Sequence, residues 1–180
     1  NMLCDRVLLV GCGKERDFDD NAYTKAITVM VDCLNNSGAT EASVYLPDLT
    51  VKGRSISWRI RHAVQTIESK LYRFEQLKSD PDKLRRPLKK VILNVPSRRE
   101  LTAGEQAIKQ GEAVGHGINF CRDLGNLPAN YCTPTYLADK AKELAKNHKK
   151  LKTTILNKAD MEKLEMGSLL SVTQGTSQEP

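Results

Sequence analysis

Apolar residues recur along the chain with two periods, and the alternation between those periods sets out the elements. In residues 19–34, Ala26, Ile27, Met30, Val31 and Leu34 fall on one face of a 3.6-residue repeat, which predicts an amphipathic helix. Acidic residues crowd its first turn, where the helix dipole favours them. Residues 54–78 repeat the pattern with Ile60, Val64, Ile67, Leu71, Phe74 and Leu77, and set basic residues opposite. The short apolar runs at 6–10, 42–46 and 90–95 are bounded by Gly11, Pro47 and Pro96 and read as buried strands. Strand, helix, strand, helix, strand is the order of an α/β layered domain whose helices cover the sheet.

The second half reads mostly as helix. Residues 102–123 open near a capping-box arrangement at Thr102 and Glu105 and carry Ala107, Ile108, Val114, Ile118 and Cys121 on a helical period. Gly111, Gly115 and Gly117 each lower helix propensity by ~1 kcal/mol relative to alanine. Their small size predicts close approach by a neighbouring domain or subunit. A hinge follows, with Gly125 as a left-handed helix stop and Pro128 preventing the helix from resuming. Thr133 then caps a new helix with Pro134 in its first turn, and residues 135–147 turn Leu137, Ala138, Ala141, Leu144 and Ala145 inward. A strand at 151–156, a helix at 158–164, a strand at 168–173 and a polar loop complete the expected order.

Composition narrows the class. No apolar run approaches the ~20 residues that span a bilayer, and the start of the chain shows no basic-then-apolar leader. Five cysteines without CxxC pairing (Cys4, Cys12, Cys33, Cys121, Cys132) predict reduced, mostly buried thiols in a cytoplasmic protein. The net charge of +6 is unevenly spread. Twelve basic residues against four acidic ones lie between Lys52 and Lys90, while the preceding segment is acidic. Within the basic segment, Lys52, Arg54, Arg59, Arg61, Arg85, Arg86, Lys89 and Lys90 are the candidates for following nucleic-acid phosphates. The alternative is a solvated helix face and a charged loop. Trp58 and Tyr72 read either as base-stacking platforms or as packing anchors.

Several other patterns carry no chemistry on their own. Gly11-Cys12-Gly13-Lys14 lacks the spacing of a phosphate loop, and Arg16 stands where a dinucleotide fingerprint needs its third glycine. It reads as a glycine turn leaving a strand. His62 has no second ligand near it in sequence and His116 is isolated between glycines, so both read as packed or solvent-facing side chains.

One set of residues goes further. The run Arg122-Asp-Leu-x-Asn-x-Pro-x-Asn, followed by Thr133-Pro134-x-x-Leu137-Ala138, resembles the junction at which the catalytic domain of leucyl aminopeptidases begins. That family (M17) is also called cytosol aminopeptidase or aminopeptidase A. The similarity extends upstream through Val7-Leu8-Leu9-Val10-Gly11, Val51-Lys52-Gly53-Arg54, Arg85-Arg86-Pro87-Leu88 and Arg98-Arg99-Glu100-Leu101. Downstream it takes in Met166-Gly167-Ser168-Leu169-Leu170 and Gln174-Gly175.

The resemblance implies an α/β fold with three αβα layers: a macrodomain-like N-terminal domain at 1–98 lacking its first strands, a connector helix at 99–123, and the truncated start of an α/β catalytic domain at 124–180. It also implies a cytoplasmic, hexameric, metal-dependent aminopeptidase acting on peptides, with two divalent ions (manganese or zinc, or magnesium) activating water. Some bacterial members bind DNA, and no membrane partner is expected. The family's Lys-Gly-x-x-Phe-Asp-(Ser/Thr)-Gly and Asn-Thr-Asp-Ala-Glu-Gly-Arg runs do not occur in these 180 residues. The expectation is therefore no catalytic residue, no metal ligand and no bound metal here. Val51-Lys52-Gly53-Arg54 echoes the first run but lacks the Phe-Asp that would follow it.

Overall fold

The computed structural model describes residues 4–79 and 88–176. The chain folds as two compact units, Asn1–Arg122 and Asp123–Pro180.

The first unit is built on two helices. Helix α1 (Asp20–Ser37) starts where the Asp19 carboxylate accepts the Ala22 N–H, and ends at Gly38 in the left-handed region. Its buried positions, Tyr23, Ala26, Ile27, Met30 and Val31, repeat at three and four residues. After strand β1 (Glu41–Val44), a 3-10 turn at Leu46–Asp48 buries Pro47 and leads to α2 (Ile56–Leu71), capped by Ser55. Strand β2 (Lys90–Leu93) pairs parallel with β1, with Glu41 opposite Lys90 and Val44 opposite Leu93. The core gathers Phe18, Tyr23, Ile27, Met30, Val31, Val44, Val51, Ala63 and Ile67, with Ala42, Val91 and Leu93 packed against it. One sheet face therefore meets α1 and α2, and Glu41, Ser43, Lys90 and Ile92 on the other are exposed or half-exposed.

Helix α2 is shorter than its apolar period predicts, and the reason is tertiary. It stops at Leu71, not Lys78, so Phe74 and Leu77 are not part of it. Arg122 donates to the Ser69 carbonyl at 2.9 Å, a group that continued helix would use internally, and its guanidinium stacks on the Tyr72 ring at 4.0 Å. Leu77 then adopts φ +69°.

The run at 6–10 is not a strand. An apolar run becomes one only when a neighbour supplies ladder partners, and among the described residues none does. Val7, Leu8 and Leu9 are accordingly 59%, 42% and 89% exposed.

Helix α3 (Leu101–Asn126) buries Gly104, Ala107, Gly111 and Gly115. A Cβ at Gly111 would lie 2.7 Å from Val64 Cβ, and one at Gly115 2.9 Å from Glu68 Cβ. The small residues thus admit α2 of the same unit, whereas a separate domain or subunit was expected. Gly117 faces open space. Gly125 does not stop the helix: it stays helical, and α3 runs on to Asn126.

In the second unit, the Thr133 hydroxyl accepts the Tyr136 N–H at 3.3 Å and Pro134 occupies the first turn of α4 (Pro134–Asn147), as the sequence predicts. Helix α5 (Lys158–Lys163) has a complete capping box between Asn157 and Asp160. Two expected strands are absent. Residues 151–156 pair with nothing among the described residues, and Thr153 instead donates to the Ala141 carbonyl at 3.2 Å. Residues 168–173 fall in helix α6 (Gly167–Val172) and the start of a 3-10 turn (Thr173–Gly175), where Ser171 and Thr173 hydroxyls donate to the Ser168 and Leu170 carbonyls. A six-residue stretch with Leu169, Leu170 and Val172 as its apolar positions fits either state, and local hydroxyl–carbonyl bonds favour the helix.

Candidate functional site

The basic candidates separate once the chain is folded. Helices α1 and α2 run parallel: Asp20 meets Arg54 near their starts, and Asp32 meets Lys70 near their ends at 3.1 Å. Lys52, Arg54, Arg59 and Arg61 lie toward the end where α2 begins, beyond the carboxyl end of β1. Lys89 and Lys90 stand where β2 begins, at the opposite end of the strands. Arg85 and Arg86 lie outside the described residues.

Half of the placed candidates are already engaged through their side chains. Arg54 Nε donates to Asp20 Oδ1 at 2.9 Å and its Nη2 to Asp20 Oδ2, a fork that holds the Asp20 carboxyl below its ordinary pKa and raises that of Arg54. Arg59 donates through Nη1 to the Leu49 carbonyl. Lys90 Nζ lies 3.4 Å from Glu41. The Lys52 N–H donates to the Phe18 carbonyl at 3.2 Å and Gly53 takes φ +70°, so the Val51–Arg54 echo of a metal-binding run is a turn delivering the chain into α2. Among the described residues no hydrogen bond or ion pair engages the Arg61 side chain.

Aromatic residues organise the interior of this end. Arg54 just before the cap of α2, and Trp58 and His62 within the helix, succeed one another at four-residue intervals, and their side chains stack in a row. The Arg54 guanidinium lies 4.6 Å from the Trp58 centroid, and the His62 ring stacks on Trp58 at 4.5 Å and 9°. Both directions of approach to the indole along the helix are thus filled, and Trp58 is a packing anchor. Tyr72 is occupied by Arg122 in the same way.

The His62 tautomer follows from counting protons. Thr24 Oγ1 gives its one proton to the Asp20 carbonyl at 2.7 Å, so it must accept from His62 Nε2, also at 2.7 Å. Desolvation by burial lowers the His62 pKa; Asp20 pulls it up, and Arg54 and Arg61 push it down. Below lies Tyr23, fully buried, donating its hydroxyl proton to the Arg59 carbonyl at 3.0 Å. Burial raises the Tyr23 pKa.

An open groove of 540 Å³ runs beside this stack between α2 and α3, lined by Trp58, Arg61, His62, Gln65, Gln110, Ala113 and Val114. The sequence reading missed it, because it depends on the glycine contacts that bring α3 against α2.

No group of three or more His, Cys, Asp or Glu side chains gathers among the described residues. The donors present therefore do not fit a dinuclear metal cradle. The thiols are all unpaired, but Cys4, Cys33 and Cys121 are exposed and only Cys12 and Cys132 are partly covered, against the expectation of mostly buried cysteines. Burial raises the Cys12 pKa. No helix of the described residues is long and apolar enough to cross a membrane.

Two family models match the chain: the N-terminal domain of the cytosol aminopeptidase family over residues 1–81, and the catalytic domain of the same family over residues 119–180. The probable cytosol aminopeptidase of Thioalkalivibrio sulfidiphilus is 54% identical over 178 residues, covering 99% of this chain and 36% of that protein. That of Shewanella denitrificans is 48% identical over 179 residues, with the same coverages. The chain thus spans just over a third of the length of these curated relatives. Among solved structures, the bottromycin maturation enzyme BotP superposes with a TM-score of 0.76 at 24% identity, over 94% of this chain and 34% of BotP. BotP in complex with Mn gives 0.59 at 25% identity, over 77% and 27%.

Proposed function

We propose that this chain, which belongs to the cytosol aminopeptidase family, contributes the front α/β module and the opening of the catalytic domain to a metal-dependent enzyme that releases N-terminal residues, leucine among them, from peptides. The observation that carries the reading is the match to both domains of one family in their order, with 54% identity to a probable cytosol aminopeptidase over almost all of this chain. The Mn in one BotP structure supports manganese as the first metal to try. Two divalent ions would supply Lewis-acid activation of water. Their ligands belong to the two family runs that these residues do not contain, so the 180 residues alone are inactive. A cytoplasmic homo-hexamer is part of the same proposal.

The test has two arms. The purified chain with added manganese should not hydrolyse leucine p-nitroanilide. Joined in frame to the remaining portion of the Thioalkalivibrio relative, it should. Hydrolysis in the first arm, or a folded but inactive fusion in the second, would overturn the proposal.

A second reading, DNA binding through the basic segment, is supported by the charge concentration between Lys52 and Lys90, and weakened by the partners that Arg54, Arg59 and Lys90 already have. A gel-shift series in rising salt decides it. Binding that weakens when Arg85 and Arg86 are changed to glutamate supports the reading, and binding indifferent to that change removes it.

A further inference from the structure

The groove between α2 and α3 has a chemistry of its own. The Arg61 guanidinium and the Gln65 carboxamide from α2, with the Gln110 carboxamide from α3, make the lining partly polar. The Trp58 indole, Ala113 and Val114 make the lining partly apolar. Its volume, 540 Å³, lies within the range of small-molecule sites. No carboxylate lines it, so the positive charge of Arg61 is not neutralised from within.

That openness is selective. The other two arginines on this side of the fold are engaged: Arg54 forks onto Asp20, whereas Arg59 donates to the Leu49 carbonyl. Arg61 has no such partner among the described residues, and neither carboxamide is engaged by a hydrogen bond there. A guanidinium matches a carboxylate with two parallel hydrogen bonds. The carboxamides offer both donors and acceptors, and Val114, 45% exposed, offers apolar surface to an aliphatic body. The indole faces are covered by Arg54 and His62, which disfavours a ligand held by base stacking.

We propose that this groove binds a small aliphatic carboxylate, the α-carboxylate of a free amino acid or of a short peptide, with Arg61 holding the carboxylate and Val114 and Ala113 bearing the side chain. The proposal goes beyond the aminopeptidase reading and does not depend on it, since binding is read on the chain without turnover.

The experiment is ligand titration of the purified chain followed by two-dimensional NMR, with N-acetylleucine, leucine, leucylglycine, leucinamide and inorganic phosphate as probes. The carboxylates should shift Arg61, Gln65, Gln110 and Val114 resonances with a dissociation constant on the order of 1 mM. Leucinamide, which lacks the carboxylate, should bind at least about tenfold more weakly. Leucine against N-acetylleucine tells whether a free amine is needed, and leucylglycine whether a peptide carboxylate is preferred. Arg61→Gln should abolish the shifts while leaving the thermal midpoint near wild type. Ala113→Phe, at an exposed position of α3, should block the groove without removing the charge. Equal binding of leucinamide, phosphate binding as well as N-acetylleucine, retention of binding in Arg61→Gln, or no shifts in a folded protein would each overturn the proposal.

Discussion

Substituting alanine at two glycines of α3 should have opposite effects. At Gly117 the new methyl would meet nothing within 4 Å, so only the helix-propensity gain applies, ~0.5–1 kcal/mol of added stability. At Gly111 the same gain is set against a Cβ placed 2.7 Å from Val64 Cβ and 2.9 Å from the Arg61 carbonyl oxygen. Both atoms are fixed by the backbone of α2, so no rotamer change relieves the clash and the helices must separate. Overpacking of this kind costs ~1–3 kcal/mol, and with contacts this short its upper half applies, leaving a net loss of up to about 2.5 kcal/mol. Urea unfolding read by fluorescence suits the measurement. The chain has one tryptophan, Trp58, on α2 in the affected unit, so its signal follows that unit and not the second one. In a thermal scan the two variants should move to opposite sides of wild type, by a few degrees each. If both stabilise, or both destabilise equally, the close α2–α3 contact does not exist in solution and the groove beside it has no basis.

The remaining predictions concern the stack on α2. His62 has a folded pKa below its ordinary 6.5, so its contribution is fully present above 6.5 and is lost progressively as pH falls from there through the lower folded pKa. The stability difference between wild type and His62→Asn, measured by urea titration, should therefore shrink from pH 7.5 to pH 5.5. Asp20, held below its ordinary 3.8 by Arg54, behaves in the same direction at lower pH: its contribution persists above 3.8 and disappears only in stronger acid. An Asp20→Asn variant should accordingly approach wild-type stability in acid unfolding series. Tyr23→Phe removes a buried hydroxyl bonded to the Arg59 carbonyl and should cost about 1 kcal/mol in denaturant titration. An unchanged midpoint would show that the hydroxyl adds nothing to the fold.

Helices α1 and α2 were legible because their buried residues repeat where a helix must repeat them, a signal written within each segment. The junction at Thr133 and Pro134 was legible for the same reason: a cap and a proline act locally. The misread elements share the opposite property. Val7 to Val10 has the composition of a strand, but a strand is a relation between two segments, and its partners are not written in its own residues. Ser168 to Thr173 mixes three apolar residues with three hydroxyl residues, and hydroxyl-to-carbonyl bonds made within one turn decide it as helix. The early end of α2 depends on Arg122, fifty-three residues away, which no window on α2 contains.

The same distinction governs the candidate site. Formal charge can be counted along a sequence, but recognition depends on charge without a partner, and partners are tertiary. The segment from Lys52 to Lys90 is predominantly basic in sequence, yet Asp20 takes Arg54, the Leu49 carbonyl takes Arg59 and Glu41 sits beside Lys90. Lys89 and Lys90 are also carried to the far end of the strands from Arg61. A continuous phosphate-tracking stripe would need these residues on one side, with their charges available. Folding instead leaves Arg61 as the guanidinium on α2 without a partner among the described residues, and sets it beside two carboxamides and an aliphatic wall from α3. That arrangement suits one carboxylate better than a series of phosphates, and it exists only because Gly111 and Gly115 let α3 lie close enough to form the second wall.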